Sequence, residues 1–216
     1  VLSSFSYIAD LDTMLTWAQE KISDRPDWVS LHELLARIYT FKGDSESALA
    51  SYHEALKYTN EDRRAANFKV QSAIIYGSIG QNDKAVQYYE EVLAMDYVKA
   101  KAFRTSVLNN LAYLLTQDED QHERAVEMAR EAYGLNPTSP EIMDTFASAL
   151  IKQGQYLEAE KIARQAIQIN QREGQVVIAE LYYRLALALQ GTGQDSQARD
   201  QLDAAREQLQ AGYVID

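Results

Sequence analysis

Residues 36–48 read ARIYTFKGDSESA, and the same spacing returns in 73–85 (AIIYGSIGQNDKA), 147–159 (ASALIKQGQYLEA) and 186–198 (ALALQGTGQDSQA). Each copy sets Ala first, Tyr or Leu three residues later, Gly four after that and Ala five further on. The copies are Ala36/Tyr39/Gly43/Ala48, Ala73/Tyr76/Gly80/Ala85, Ala147/Leu150/Gly154/Ala159 and Ala186/Leu189/Gly193/Ala198. A small residue one turn before a bulky one lets two helices approach closely, and Gly supplies the left-handed residue that stops the first of them. Each copy therefore predicts a helical hairpin. Asp44, Asn82 and Asp195 stand where they would cap the second helix, with Gln155 a poorer cap. A fifth copy, Ala112/Leu115/Ala125, lacks the Gly, is one residue longer and carries the acidic loop Gln117-Asp118-Glu119-Asp120-Gln121.

The apolar stripe continues beyond each hairpin. Four residues after the last Ala come Tyr52, Tyr89, Ala129, Ala163 and Leu202, and seven after it Ala55, Val92, Ala132, Ala166 and Ala205. That i, i+4, i+7 pattern makes the second helix amphipathic. Neither helix of a hairpin can bury its stripe alone, so neighbouring hairpins must stack.

The pattern resembles the tetratricopeptide repeat (TPR) family, whose unit is a helix-turn-helix of 34 residues. Pro137, twelve residues after Ala125, stands where that family commonly carries Pro, and the resemblance covers residues 28–208. It implies an all-α fold, a right-handed superhelical α-solenoid of about 11 helices. The expected organisation is one solenoid over 1–216, with a partial, degenerate unit at 1–26 and full units at 27–60, 65–97, 104–138, 139–171 and 176–212. The hairpin Ala positions lie 37, 40, 34 and 39 residues apart, so extra length must enter as longer helices or linkers near 58–64, 96–101 and 170–175. In the partial unit Met14, Trp17, Ala18 and Ile22 share a face, Pro26 ends the helix, and 1–9 would form a short helix of its own. At the other end no polar capping helix is evident. Together with the initial Val1, this favours a fragment of a longer protein, or an end that contacts something.

Composition narrows the function. Lys and Arg total 21 against 32 Asp and Glu, a net charge of −11, and the longest basic run is Arg63-Arg64, which argues against a nucleic-acid partner. No cysteine is present, so thiol chemistry and thiolate metal sites are absent. Neither a membrane-spanning apolar run nor a basic secretion leader is found, and the expectation is a soluble protein, cytoplasmic or bacterial periplasmic. No nucleophile elbow or phosphate loop occurs. His32, His53 and His122 are scattered and read as surface histidines, and His32-Glu33 lacks the second His of a zinc protease. The expectation is a chain without cofactor, metal or catalysis.

What remains is recognition, and the resemblance implies that the first helix of each unit lines the concave face. Carried onto this sequence, the groove residues are Glu33, Arg37, Thr40 and Phe41, then Asn67, Val70 and Ile74, then Ser106, Asn109, Asn110, Tyr113 and Thr116. Glu141, Asp144, Ser148 and Lys152 follow, and finally Glu180, Tyr183, Arg184 and Leu187. Asn109, Asn110 and Tyr113 stand out, because an Asn amide both donates to and accepts from a peptide backbone and Tyr adds a rigid contact surface. The alternative gives Asn110 a bond to a neighbouring helix and has Tyr113 fill the gap left by the inserted turn. An acidic C-terminal tail is a poor ligand. Val70, Ile74, Glu141 and Thr145 stand where the chaperone-binding members of the family carry Lys, Asn and Arg.

Most of the 14 tyrosines fall on packing stripes, whereas Tyr88, Tyr97, Tyr133 and Tyr156 are open to a role at an outer surface. The stretches 108–115 and 139–145 are similar to later repeats of large bacterial multi-TPR proteins, some of them in cell-envelope or exopolysaccharide-export systems, which implies a bacterial origin. The reading is a scaffold that binds a protein or peptide in its groove. Its rivals are self-assembly through the solenoid ends as a homo-oligomer and a regulatory segment of a larger protein.

Overall fold

The computed structural model describes residues 2–95, 100–172 and 179–212, with side chains described over 10–210 within those segments. Among them are eleven α-helices and no strand: α1 (Leu2–Asp24), α2 (Val29–Lys42), α3 (Ser45–Tyr58), α4 (Asp62–Ser78), α5 (Asn82–Leu93), α6 (Lys101–Leu115), α7 (His122–Leu135), α8 (Pro140–Lys152), α9 (Tyr156–Arg172), α10 (Ala179–Gly191) and α11 (Asp195–Gly212). The chain divides into two compact units, residues 1–99 and 100–216. In the first, α2 pairs with α3 and α4 with α5, with α1 against α2 and α3 against α4. In the second, the hairpins are α6/α7, α8/α9 and α10/α11.

The repeated spacing turns out to be hydrogen-bond arithmetic. Gly43, Gly80, Gly154 and Gly193 have φ of 76°, 75°, 78° and 77°, the left-handed conformation that favours Gly. The residue after each one donates its N–H back to the bulky residue of the motif: Asp44 to Tyr39 at 2.9 Å, Gln81 to Tyr76 at 2.9 Å, Gln155 to Leu150 at 2.8 Å and Gln194 to Leu189 at 2.9 Å. Its own carbonyl then accepts from the second Ala, at 3.0 Å from Ala48, 3.1 Å from Ala85 and Ala159, and 3.0 Å from Ala198. One residue thus closes the old helix and opens the new one. The fixed distance from Tyr or Leu to Ala follows from those two bonds.

Only Asp44 among the expected caps performs that role, accepting from Ser47 N at 3.1 Å. Asn82 and Asp195 are instead the first residues of α5 and α11, because the capping position falls directly after the Gly, on Gln81 and Gln194. Where the Gly is missing, between α6 and α7, Asp118 receives the N–H of Asp120 and a 3-10 turn at Glu119–Gln121 takes up the inserted residue. α8 starts with Pro140 behind Ser139, whose hydroxyl accepts from Ile142 N.

The alanines are where the helices touch. Ala36, Ala48, Ala73, Ala85, Ala112, Ala125, Ala147 and Ala159 are fully buried, as are Ala55, Val92, Ala132 and Ala166. Leu202 departs from its stripe and is 41% exposed, since among the described residues no helix lies beyond α11 to cover it. Near the start, α1 is one helix over Leu2–Asp24 rather than two, because nothing between residues 9 and 13 breaks it. The extra length expected at 58–64 enters as helix: α3 ends at Tyr58 and α4 begins at Asp62. The other two stretched joints lie partly outside the described residues.

Candidate functional site

In the second unit the first helices follow one another, α6 against α8 and α8 against α10. Asp144 sits three residues before its hairpin Ala, and its Oδ1 accepts from Arg184 Nε of α10 at 3.0 Å. Asn109 occupies the same register on α6, and its Oδ1 is buried with no hydrogen-bond partner among the described residues. A buried carbonyl oxygen left without a donor is costly. Tyr113, one turn on from Asn109, is 56% exposed, so it does not fill a packing gap. Asn110 is half-buried beside it.

On α10, Tyr183 is 45% exposed with the Arg184 guanidinium 6.0 Å from its ring centroid. Burial raises the Asp144 carboxyl above its ordinary range, opposed by Arg184 and reinforced by Glu180. The pair therefore depends on Arg184 to keep its charge. Thr116, expected to line the groove, is buried instead and turns back to the Tyr113 carbonyl, and Thr145, which stands where chaperone-binding members carry a basic residue, is likewise buried and donates to the Glu141 carbonyl.

The first unit presents its own set. Arg37 and Asn67 are exposed, Phe41 is 71% exposed and Ile74 46%. Glu33, again three residues before its Ala, accepts from Arg64 of α4 at 2.9 Å, and Arg64 also reaches Ser30 at 3.2 Å. Glu33 and Asp144 therefore do the same work in different units, tying one first helix to the next.

Three family models described as tetratricopeptide repeat match residues 30–64, 66–98 and 117–177, together more than half of the chain. The chain belongs to the TPR family. A TPR repeat-containing protein of Pseudomonas aeruginosa is 28% identical over 147 residues, covering 68% of this chain; the chain spans 24% of that relative's length. Among solved structures, BtubC from P. vanneervenii superposes with a TM-score of 0.75 at 21% identity, over 97% of this chain and 92% of that one. YrrB, described as a TPR protein with an unusual peptide-binding site, gives 0.66 at 18% identity, over 88% and 91%. The fold is accordingly the TPR α-solenoid, an architecture that generally serves as a scaffold for protein interaction.

Several TPR side chains have partners that sequence did not disclose. His32 is buried, not solvated; its Nε2 donates to the Pro26 carbonyl at 2.7 Å and its ring stacks on Tyr58. His53 Nε2 is bonded to the Tyr88 hydroxyl at 2.8 Å, with the Tyr76 hydroxyl at 3.4 Å. Among the described residues no cluster of His, Asp and Glu is arranged to hold a metal, and no helix is long and apolar enough to cross a membrane. Tyr133 donates to Gln165, and Tyr156 lies against Gly191, so neither is a free outer contact. Tyr97 lies outside the described residues.

Gly191 is a position that sequence reading missed. A Cβ there would stand 2.2 Å from Tyr156 Cγ, and the surrounding pocket of about 550 Å³ is lined by Gly154, Leu157 and Thr192 as well. The signal was present as a second Gly two residues before the hairpin Gly. Its partner sits one repeat earlier, on α9.

Proposed function

We propose that this TPR chain captures a peptide segment of a partner protein on the face formed by α6, α8 and α10, without catalysing a reaction. The observation that carries the reading is the buried Asn109 Oδ1, without a hydrogen-bond partner among the described residues, one turn from exposed Tyr113. An extended peptide lays a side chain on the phenol ring and supplies an N–H once the Asn109 side chain turns its buried amide oxygen outward. Asn110 and Tyr183 widen the contact, and Asp144 with Arg184 offers a fixed carboxylate and guanidinium. Arg37, Phe41, Asn67 and Ile74 of the first unit form a second, more apolar face of the same kind. Exposed Glu141 and Glu180 make the second unit's face unfavourable to an acidic tail, so the reading favours neutral or basic peptides. YrrB's described peptide-binding site shows only that a similar fold serves this purpose elsewhere.

A random peptide library displayed on phage and panned against the whole chain tests the proposal. Selected peptides should bind the wild type and lose at least tenfold in affinity against Asn110→Ala/Tyr113→Ala, whose thermal midpoint stays within a few degrees of wild type. Selected peptides that ignore both this variant and Asn109→Ala would overturn it.

A further inference from the structure

The charges on the first helices of the first unit do not balance. Glu33 of α2 accepts from Arg64 of α4 at 2.9 Å, so the side of α2 on which Glu33 stands faces the next hairpin. Arg37 follows one turn later on that side. It is exposed, and among the described residues no hydrogen bond or ion pair engages its guanidinium. Lys42, nearer the end of α2, is paired with Asp12 of α1. With Glu33 committed to Arg64, the face keeps one unpaired positive charge in a chain of net charge −11.

Apolar surface accompanies that charge. Phe41, one turn beyond Arg37, is largely exposed, and so is Ile74 of α4, which follows Ala73 as Arg37 follows Ala36. Val70, one turn before Ile74, is half-buried. A ring and a branched chain left in water on the face that carries an unpaired guanidinium suit a ligand with one apolar and one anionic side chain. The second unit has a different balance: Glu141 and Glu180 are exposed, Arg184 is held by Asp144, and Lys152 is the exposed cation of α8. Spacing on α2 narrows the ligand further. Arg37 and Phe41 are four residues apart, about 6 Å of helix rise, and in an extended segment side chains two residues apart leave the same side about 6.6 Å apart.

We propose that the α2/α4 face takes an extended segment of a partner protein in which an Asp or Glu stands two residues from a large apolar residue, the carboxylate on Arg37 and the apolar side chain on Phe41 and Ile74. A carboxylate can meet the guanidinium through two parallel hydrogen bonds, which the chain itself does not supply among the described residues. One acid is enough, because Arg64 and Lys42 already hold carboxylates of their own, and a longer acidic run finds no second free cation among these three. The proposal rests on the peptide-capture reading and extends it to the first unit with a different ligand class; α6, α8 and α10 take no part in it.

A biased phage library, panned against the whole chain carrying Asn110→Ala/Tyr113→Ala, tests it. Each member holds one Phe or Leu in a Gly/Ser frame with Glu, Gln or Lys two positions away. Peptides without an acid at this spacing still judge the second unit, against Asn110→Ala/Tyr113→Ala alone, so either reading can fail without the other. Glu members should be enriched at least tenfold over Lys members, with Gln members between them. Arg37→Gln should erase that preference and Arg37→Glu should invert it, both with unchanged helical circular dichroism, because the Arg37 side chain ties nothing together in the fold. Phe41→Ser/Ile74→Ser should lose Glu and Gln members alike. No enrichment of Glu members, an enrichment that survives Arg37→Glu, or selected peptides indifferent to Phe41→Ser/Ile74→Ser would each overturn the proposal.

Discussion

A methyl group on Gly191 meets two opposing effects. Replacing a helical Gly by Ala ordinarily gains about 0.5–1 kcal/mol through the unfolded chain. Here the new Cβ would stand 2.2 Å from Tyr156 Cγ, near the root of that side chain, where rotation of the ring gives little relief. Overpacking of this kind costs about 1–3 kcal/mol, so the clash should win and Gly191→Ala should destabilise the chain. In a Tyr156→Ala background the same change should become neutral or stabilising, which urea unfolding of the four-member cycle reads directly. His53 gives a second residue-scale test. Burial holds its imidazole below the ordinary 6.5, with Lys57 and Lys84 adding to the effect and Glu54 opposing it. On acidification the unfolded chain takes up this proton first, so the contribution is full above pH 6.5 and is lost as pH falls through the lowered folded value. Glu91 and Glu158, held down by Lys69 and Arg130, lose their contribution only below 4.5, which separates the windows. Thermal midpoints measured from about pH 8 to about pH 5 should decline in wild type and flatten in His53→Gln.

At the scale of the helix pair, Asp144 and Arg184 are only 21% and 23% exposed, so removing one partner strands the other in a poorly solvated place. Arg184→Ala should cost about 1–3 kcal/mol and should raise the Asp144 pKa further, while Asp144→Asn/Arg184→Gln should recover part of the loss. Urea unfolding gives the first quantity and carbon-detected titration of Asp144 the second. This bridge also marks how far a sequence can be read. The hairpins were legible because Tyr39, Gly43, Asp44 and Ala48 are joined by bonds within one turn, and local bonds impose fixed spacing. The ties between hairpins have no such constraint. Glu33 reaches Arg64, nine residues before Ala73, whereas Asp144 reaches Arg184, two before Ala186, so no repeating interval announces them. Asn109 shares the register of both acids, but its lack of a partner became visible only once its surroundings were in place. Likewise His32 and His53 read as surface residues because helical periodicity cannot foresee a loop carbonyl or a tyrosine of the next hairpin.

Within each of the two units, buried alanines and two left-handed glycines set the hairpins, and the first helices carry the exposed side chains open to recognition. Chemistry is distributed unevenly over them. The first unit offers Phe41 and Ile74, both largely apolar, while the second offers Asn109, Asn110, Tyr113 and the Asp144–Arg184 pair. A ligand that needs both backbone hydrogen bonds and aromatic contact should therefore seat on the second unit, and raising salt should weaken it only modestly, because Asp144 on that face is already paired with Arg184. The most direct test is amide and side-chain chemical-shift mapping of the whole chain with a panned peptide. The account predicts that the largest perturbations fall on α6, α8 and α10, including the side-chain amide of Asn109. Perturbations confined to α7, α9 and α11, or to the first unit, would contradict it.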